Sequence, residues 1–146
     1  MSKLYVVGIG PGGYEQMTIR AAKVLEKCDI IVGYTVYVDL IADHFAGKEM
    51  LTTPMRQEKE RCEMALKAAQ DGRKTAMICS GDSGVYGMAG LVLQMAEAYS
   101  DVNVEVISGV TAALGGGAIP GAPLGHDFVV IRLSDLLSTI EAVEKT

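Results

Sequence analysis

The sequence predicts an α/β fold: a mostly parallel sheet with helices on both faces. Three observations predict it. Short apolar runs alternate with segments of helical periodicity along the chain. Those runs, such as Tyr5-Val6-Val7 and Ile30-Ile31-Val32, lack in–out alternation, as strands covered on both faces do. Glycine-rich stretches directly follow three of them, where a parallel sheet presents the carboxyl ends of its strands.

Each element has its own signal. Residues 3–7 read as a buried strand, followed by a glycine loop from Gly8 to Gly13. Residues 18–28 read as a helix with Ile19, Ala21, Ala22 and Leu25 on one face and Thr18 as N-cap. Residues 29–33 form a second strand, and 34–51 are mixed and assigned no element. The charged stretch 56–70 carries Cys62, Ala65, Leu66 and Ala69 at i, i+3, i+4 and i+7, an amphipathic surface helix ended by Gly72. Residues 74–79 form the third strand, and Leu91, Val92, Met95 and Tyr99 mark another helix. Residues 102–107 form the fourth strand and 128–133 the fifth. Ser138 and Glu141 then match a capping box, with Ile140 and Val143 beginning a helical face. The chain stops about two turns into that helix, so these residues are expected to be part of a longer architecture.

A chain of 146 residues can bury one real core. Its net charge of −5, without a basic run, argues against nucleic-acid binding. The longest uncharged stretch, 106–125, is interrupted by glycines and prolines, so no membrane helix is expected. The N-terminus lacks the apolar region of a signal peptide. Cys28, Cys62 and Cys79 are widely spaced within apolar patterns and read as reduced core residues of a cytoplasmic protein. The two histidines, His44 and His126, have no metal-ligand spacing, and no metal is expected.

Three stretches carry the functional signal: GIGPGG (8–13), SGDSGVYG (80–87) and SGVTAALGGG (108–117). If their strands are neighbours, all three line one crevice. The first formally matches a dinucleotide fingerprint. Pro11, however, removes an N–H where a pyrophosphate needs donors. The second strand ends in Gly33-Tyr34, where a dinucleotide binder carries an acidic residue for the ribose. Asp82, among glycines at a strand end, has two readings. It accepts hydrogen bonds from ribose hydroxyls or an amino group of a ligand, or it caps the following helix in a turn.

Together these stretches resemble the tetrapyrrole methylase family, whose members use S-adenosyl-L-methionine. VGIGPGGYEQMT (7–18) is similar to that family's VGxGPGxxxxLT signature, SGDSGVYG to its GDPxxYG loop, and SGVTAA (108–113) to its PGxTA segment. GYTVYVDLI (33–41), SGDSGVYGMAGLVL (80–93) and GAPLGHDFVVIRLSDLL (121–137) resemble the precorrin-3B C17-methyltransferase branch of cobalamin biosynthesis. The resemblance implies an N-terminal α/β methylase domain over 1–125 and the start of a second α/β domain over 126–146. It implies donor contacts at Pro11, Ser80, Gly81, Asp82, Val85, Thr111 and Ala112, a tetrapyrrole or corrin substrate, and a homodimer. Two positions depart from the family: Ser83 and Ser108 stand where it usually has proline, which loosens the turns without removing a donor or acceptor. Some relatives place an acidic catalytic residue where this chain has Tyr34, so that role is not carried over.

Methyl transfer from a sulfonium needs alignment and exclusion of water more than a catalytic triad. The implied reaction, C17 methylation with ring contraction, needs acid–base help. Tyr34, His126 and Asp127 are the candidates for it, and each has an equally simple structural reading. Two alternatives to this activity stand beside it: a non-catalytic or partner-dependent domain of the same fold, and a methylase acting on another precorrin position or on a protein side chain.

Overall fold

The computed structural model describes residues 2–131. Five strands form one sheet: β1 (Ser2–Gly8), β2 (Ile30–Tyr34), β3 (Glu49–Thr53), β4 (Thr75–Cys79) and β5 (Val102–Ile107). The sheet order is β3-β2-β4-β1-β5, and every pairing is parallel. The helices are α1 (Ile19–Lys27), α2 (Thr35–Ile41), α3 (Glu58–Gln70), α4 (Ala89–Met95) and α5 (Ala112–Ala118).

The absence of alternation in the strands has its predicted cause. Leu4 and Val6 pack with Cys62, Leu66 and Val92 of α3 and α4 on one face. Tyr5 and Val7 pack with Val24 and Leu25 of α1 and Val38 and Ile41 of α2 on the other. From Leu4 to Gly8 both faces of β1 are therefore inside. In α1 the Thr18 hydroxyl caps the helix by accepting from Ala21 N at 3.1 Å, as expected. The buried face is Ala21, Val24 and Leu25; Ile19, expected on that face, is 75% exposed. Ile19 is the first helical residue. The α3 stripe of Cys62, Ala65, Leu66 and Ala69 is fully buried, and Gly72 follows the helix at φ +89°.

Three elements differ from expectation. β3, α2 and α5 form where no regular structure was expected. Among the described residues β3 pairs only with β2, and it keeps Glu49 and Thr52 exposed, so its sequence lacks the apolar run of a central strand. α5 contains Gly115, Gly116 and Gly117. A Cβ on Gly115 would stand 2.5 Å from the Pro11 ring, so glycine lets this helix seat against the first loop. Conversely, the expected fifth strand is not one in its described part. Among the described residues, 128–131 pair with no strand, and they lie exposed beside the strand ends. The rest of that segment and the helix expected from Ser138 lie outside the described residues.

Candidate active site

The sheet order makes β4, β1 and β5 consecutive neighbours, so the three glycine-bearing loops leave adjacent strand ends. They meet backbone to backbone. Ile9 N donates to Cys79 O at 2.9 Å, Gly10 N to Gly81 O at 3.0 Å, and Val110 N to Gly10 O at 3.4 Å. A Cβ on Gly10 would stand 2.3 Å from Gly81 Cα, and one on Gly109 2.2 Å from the Gly81 oxygen. These glycines are required by close approach, not by handedness. Gly81 is different: it sits at φ +65°, where a side chain is strained whatever the space.

Beyond this junction lies a cleft of about 590 Å³, within the usual ~300–1,000 Å³ of small-molecule sites. Its inner wall is Ser80, Gly81, Val85 and Tyr86 from the second loop, and Thr111, Ala112 and Ala113 from the third. The facing wall is apolar: Leu124 and residues 128–131, Phe-Val-Val-Ile. Tyr86, at φ +53°, donates its hydroxyl to Val130 O at 3.2 Å and so ties the two walls together. Tyr37 of α2 also lines the cleft. A smaller recess of about 40 Å³ adjoins, lined by Gly10, Pro11, Gly12 and Leu40, and sharing Tyr37, Ser80 and Gly81 with the main cleft.

Five of the seven sequence-derived donor contacts thus line one cleft: Ser80, Gly81, Val85, Thr111 and Ala112. Pro11 lines the adjoining recess. Asp82 stands between two of the loops. Its Oδ2 accepts from Gly84 N at 2.9 Å and its Oδ1 from Gly109 N at 3.0 Å, so the carboxylate links the second loop to the third. It does not cap α4, whose N-cap is Met88. Ser83 is fully buried, and its hydroxyl stands 2.8 Å from Ile107 O and 3.2 Å from Val6 O. The serine in the family's proline position therefore adds a donor that bridges the ends of β5 and β1, where a loosened turn was expected.

The acid–base candidates are dispersed. Tyr34 ends β2, stacks edge-on with Tyr37 at 5.1 Å, and lies beneath the Arg61 guanidinium at 5.8 Å. His126 and Asp127 are exposed on the segment leading to Phe128, and neither lines the cleft. Sequence reasoning missed Tyr37, Tyr86 and the apolar wall. Tyr37 had no signal, because residues 34–51 are assigned no element. The wall had none, since an apolar run of that length reads as a strand. Among the described residues no group of three or more metal-ligating side chains occurs, and no helix is long and apolar enough to cross a membrane.

Comparisons with known proteins agree with this fold. The family model described as Tetrapyrrole (Corrin/Porphyrin) Methylases matches residues 3–145. The chain is 45% identical over 97% of its length to a probable cobalt-factor III C(17)-methyltransferase of Salmonella typhimurium, and spans 59% of that relative. The crystal structure of the methyltransferase CobJ superposes with a TM-score of 0.85 at 37% identity, covering 99% of this chain and 62% of that one. A uroporphyrin-III C-methyltransferase from Thermus thermophilus, solved in complex with S-adenosyl homocysteine, superposes with a TM-score of 0.62 at 26% identity, covering 79% of this chain and 48% of that one.

Proposed function

Because the chain belongs to the tetrapyrrole (corrin/porphyrin) methylase family, we propose that its cleft binds S-adenosyl-L-methionine and that the chain forms part of a carbon methyltransferase acting on a corrin precursor. The observation that carries this reading is the junction of three glycine loops at adjacent strand ends, facing an apolar wall. The finer assignment is C17 methylation with ring contraction, on cobalt-factor III or precorrin-3B, in cobalamin biosynthesis. It is supported by the name of the Salmonella relative. The chain spans about three fifths of that relative, so the activity of the whole protein is part of the proposal.

The residues present fit such a ligand. The Ser80 and Thr111 hydroxyls and the Gly81 backbone supply polar contacts on one side, and Phe128, Val129 and Val130 supply a surface for a flat apolar ring. When bound, S-adenosylmethionine supplies a methyl group already activated for in-line displacement by a nucleophilic carbon. The chain's own task is then alignment. Ser80, Gly81, Asp82, Val85, Thr111 and Ala112 hold the donor against the strand ends, Pro11 bounds its edge, and the apolar wall excludes water. Acid–base assistance falls to Tyr34, His126 or Asp127. Residues 126–146 begin a second domain that supplies the substrate's opposite surface, and the working form is a cytoplasmic homodimer, open to test by sedimentation.

The test is calorimetric titration of the chain extended through its second domain with S-adenosylhomocysteine and, separately, with NADH. It is joined by incubation with S-adenosylmethionine and cobalt-factor III, read as the mass gain of one methyl group. Binding of S-adenosylhomocysteine with no response to NADH is expected. NADH binding alone would overturn the assignment.

A further inference from the structure

We propose that the unpaired edge of the Arg61 guanidinium is a subsite for a carboxylate side chain of the substrate. The proposal deepens the reading of the chain as part of a corrin-precursor methyltransferase and rests on it. Arg61 stands in the first turn of α3 and is 6% exposed. Its Nε donates to the Thr53 hydroxyl at 2.7 Å and its Nη2 to Pro54 O at 3.3 Å. A guanidinium carries five N–H groups, so the remaining three have no acceptor among the described residues. The ion pairs among those residues are Lys3–Glu105, Arg20–Glu105 and Arg73–Glu49, and none involves Arg61. A cation withdrawn from water without a carboxylate is costly, and an anion brought by a ligand would complete it. No enclosed side-chain nitrogen among the described residues lacks a partner. Nη1 has no partner, so it is reachable from outside.

The position suits a substrate arm. Tyr34 and Thr53 are the last residues of β2 and β3, so Arg61 is held at the carboxyl edge of the sheet, the edge that bears the cleft. Its guanidinium lies over the Tyr34 ring at 5.8 Å, and that ring meets Tyr37 edge-on at 5.1 Å. Tyr37 lines both the cleft and the adjoining recess. Arg61 is therefore joined to the cleft wall through two half-buried aromatic rings. The stack occupies the face of the guanidinium and leaves its edge for hydrogen bonds in the plane, the geometry that matches a carboxylate. A corrin precursor carries acetate and propionate arms around its ring. With the ring against the apolar wall, an arm directed toward β2 and β3 meets this edge. The donor has a carboxylate too, but its contacts are read at the ends of β4, β1 and β5, on the other side of Tyr37 and Tyr34. Thr53 and Pro54 hold the fork in place beforehand, so little ordering is left to the moment of binding.

The experiment uses the chain extended through its second domain and its Arg61→Lys and Arg61→Met variants, each confirmed as folded by circular dichroism. Methyl transfer from S-adenosylmethionine to cobalt-factor III is followed, and calorimetry reads the affinity for S-adenosylhomocysteine. A second arm takes the inhibition constant of cobalt-factor III whose side-chain carboxylates have been converted to amides. Arg61→Met is expected to raise KM for cobalt-factor III ~10-fold or more, with kcat and S-adenosylhomocysteine affinity unchanged. Arg61→Lys should fall between, because it keeps the charge and loses the fork. The amide should inhibit the parent and Arg61→Met alike. Unchanged KM in Arg61→Met overturns the subsite. A rise in KM matched by an equal loss for the amide overturns it too, because Arg61 would then only support the end of β3. A fall in S-adenosylhomocysteine affinity with unchanged KM for cobalt-factor III would give the carboxylate to the donor and overturn the substrate assignment. If Arg61→Met does not fold, Arg61→Lys carries the same comparisons. A parent that does not methylate cobalt-factor III would instead sink the corrin-precursor reading, and the subsite with it.

Discussion

Replacing Gly109 by alanine should drive the three loops apart. Gly109 does not sit at positive φ, so the cost is not one of handedness. The new Cβ would stand 2.2 Å from the Gly81 oxygen and 2.7 Å from the carbonyl carbon and oxygen of Gly8. All three are backbone atoms, so no rotamer change can relieve the contact. Overpacking of this kind costs ~1–3 kcal/mol. The displacement also weakens the 3.0 Å bond from Gly109 N to Asp82, and a hydrogen bond to a charged group contributes ~1.5–3 kcal/mol. The lower ends sum to ~2.5 kcal/mol, which for a domain of this size lowers Tm by ~5–10 °C. Against a usual total of ~5–15 kcal/mol the variant stays folded. Gly116→Ala is the control: within α5 its Cβ meets nothing within 4 Å. Removing a mid-helix glycine there stabilises by ~0.5–1 kcal/mol, a rise of ~1–4 °C. Thermal unfolding followed by circular dichroism measures both. A Gly109→Ala midpoint within ~2 °C of the parent would refute the backbone junction as the structure draws it.

Three further outcomes are expected. Gly81→Val puts a branched side chain at φ +65° beside Thr111, so S-adenosylhomocysteine binding should be lost in a chain that still folds, as calorimetry and circular dichroism together would show. Thr53→Val removes the hydroxyl that accepts from Arg61 Nε at 2.7 Å; Arg61 is 6% exposed, and its guanidinium keeps Pro54 O at 3.3 Å and the Tyr34 ring at 5.8 Å. The urea midpoint should fall by the equivalent of ~1.5–3 kcal/mol, and an unchanged midpoint would mean that water reaches the guanidinium. Burial raises the thiols of Cys28, Cys62 and Cys79 from the ordinary 9.0 to about 11. Their contribution to stability is therefore complete below pH 9 and is lost as the pH rises through 11. At pH 8 all three should resist a thiol reagent until urea unfolds the chain; rapid labelling of the native protein would contradict their burial.

Much of this fold is written locally. The unbroken apolar runs of β1, β2 and β4, the Thr18 cap and the Cys62–Ala69 stripe each depend on residues within a few positions of one another, and periodicity reads them directly. The glycine loops are legible for the same reason, because Gly8 to Gly13 and Ser80 to Gly87 announce tight backbone whatever surrounds them. Elements whose cause lies elsewhere in the chain were not legible. β3 exists because β2 offers it an open edge, not because Glu49–Thr53 prefers to be a strand. α5 tolerates three glycines because one of them must clear Pro11. Residues 128–131 carry a strand-like pattern yet find no strand to pair with, and face the cleft instead. The role of Asp82 is the sharpest case. Its residue type and its place among glycines are local and allow either a ligand contact or a turn. Its partner Gly109 is 27 residues away. Only the packing of β4, β1 and β5 as neighbours brings that N–H to the carboxylate, because a hydrogen bond is decided by distances of about 3 Å, and sequence separation does not encode those distances until the sheet has set its order.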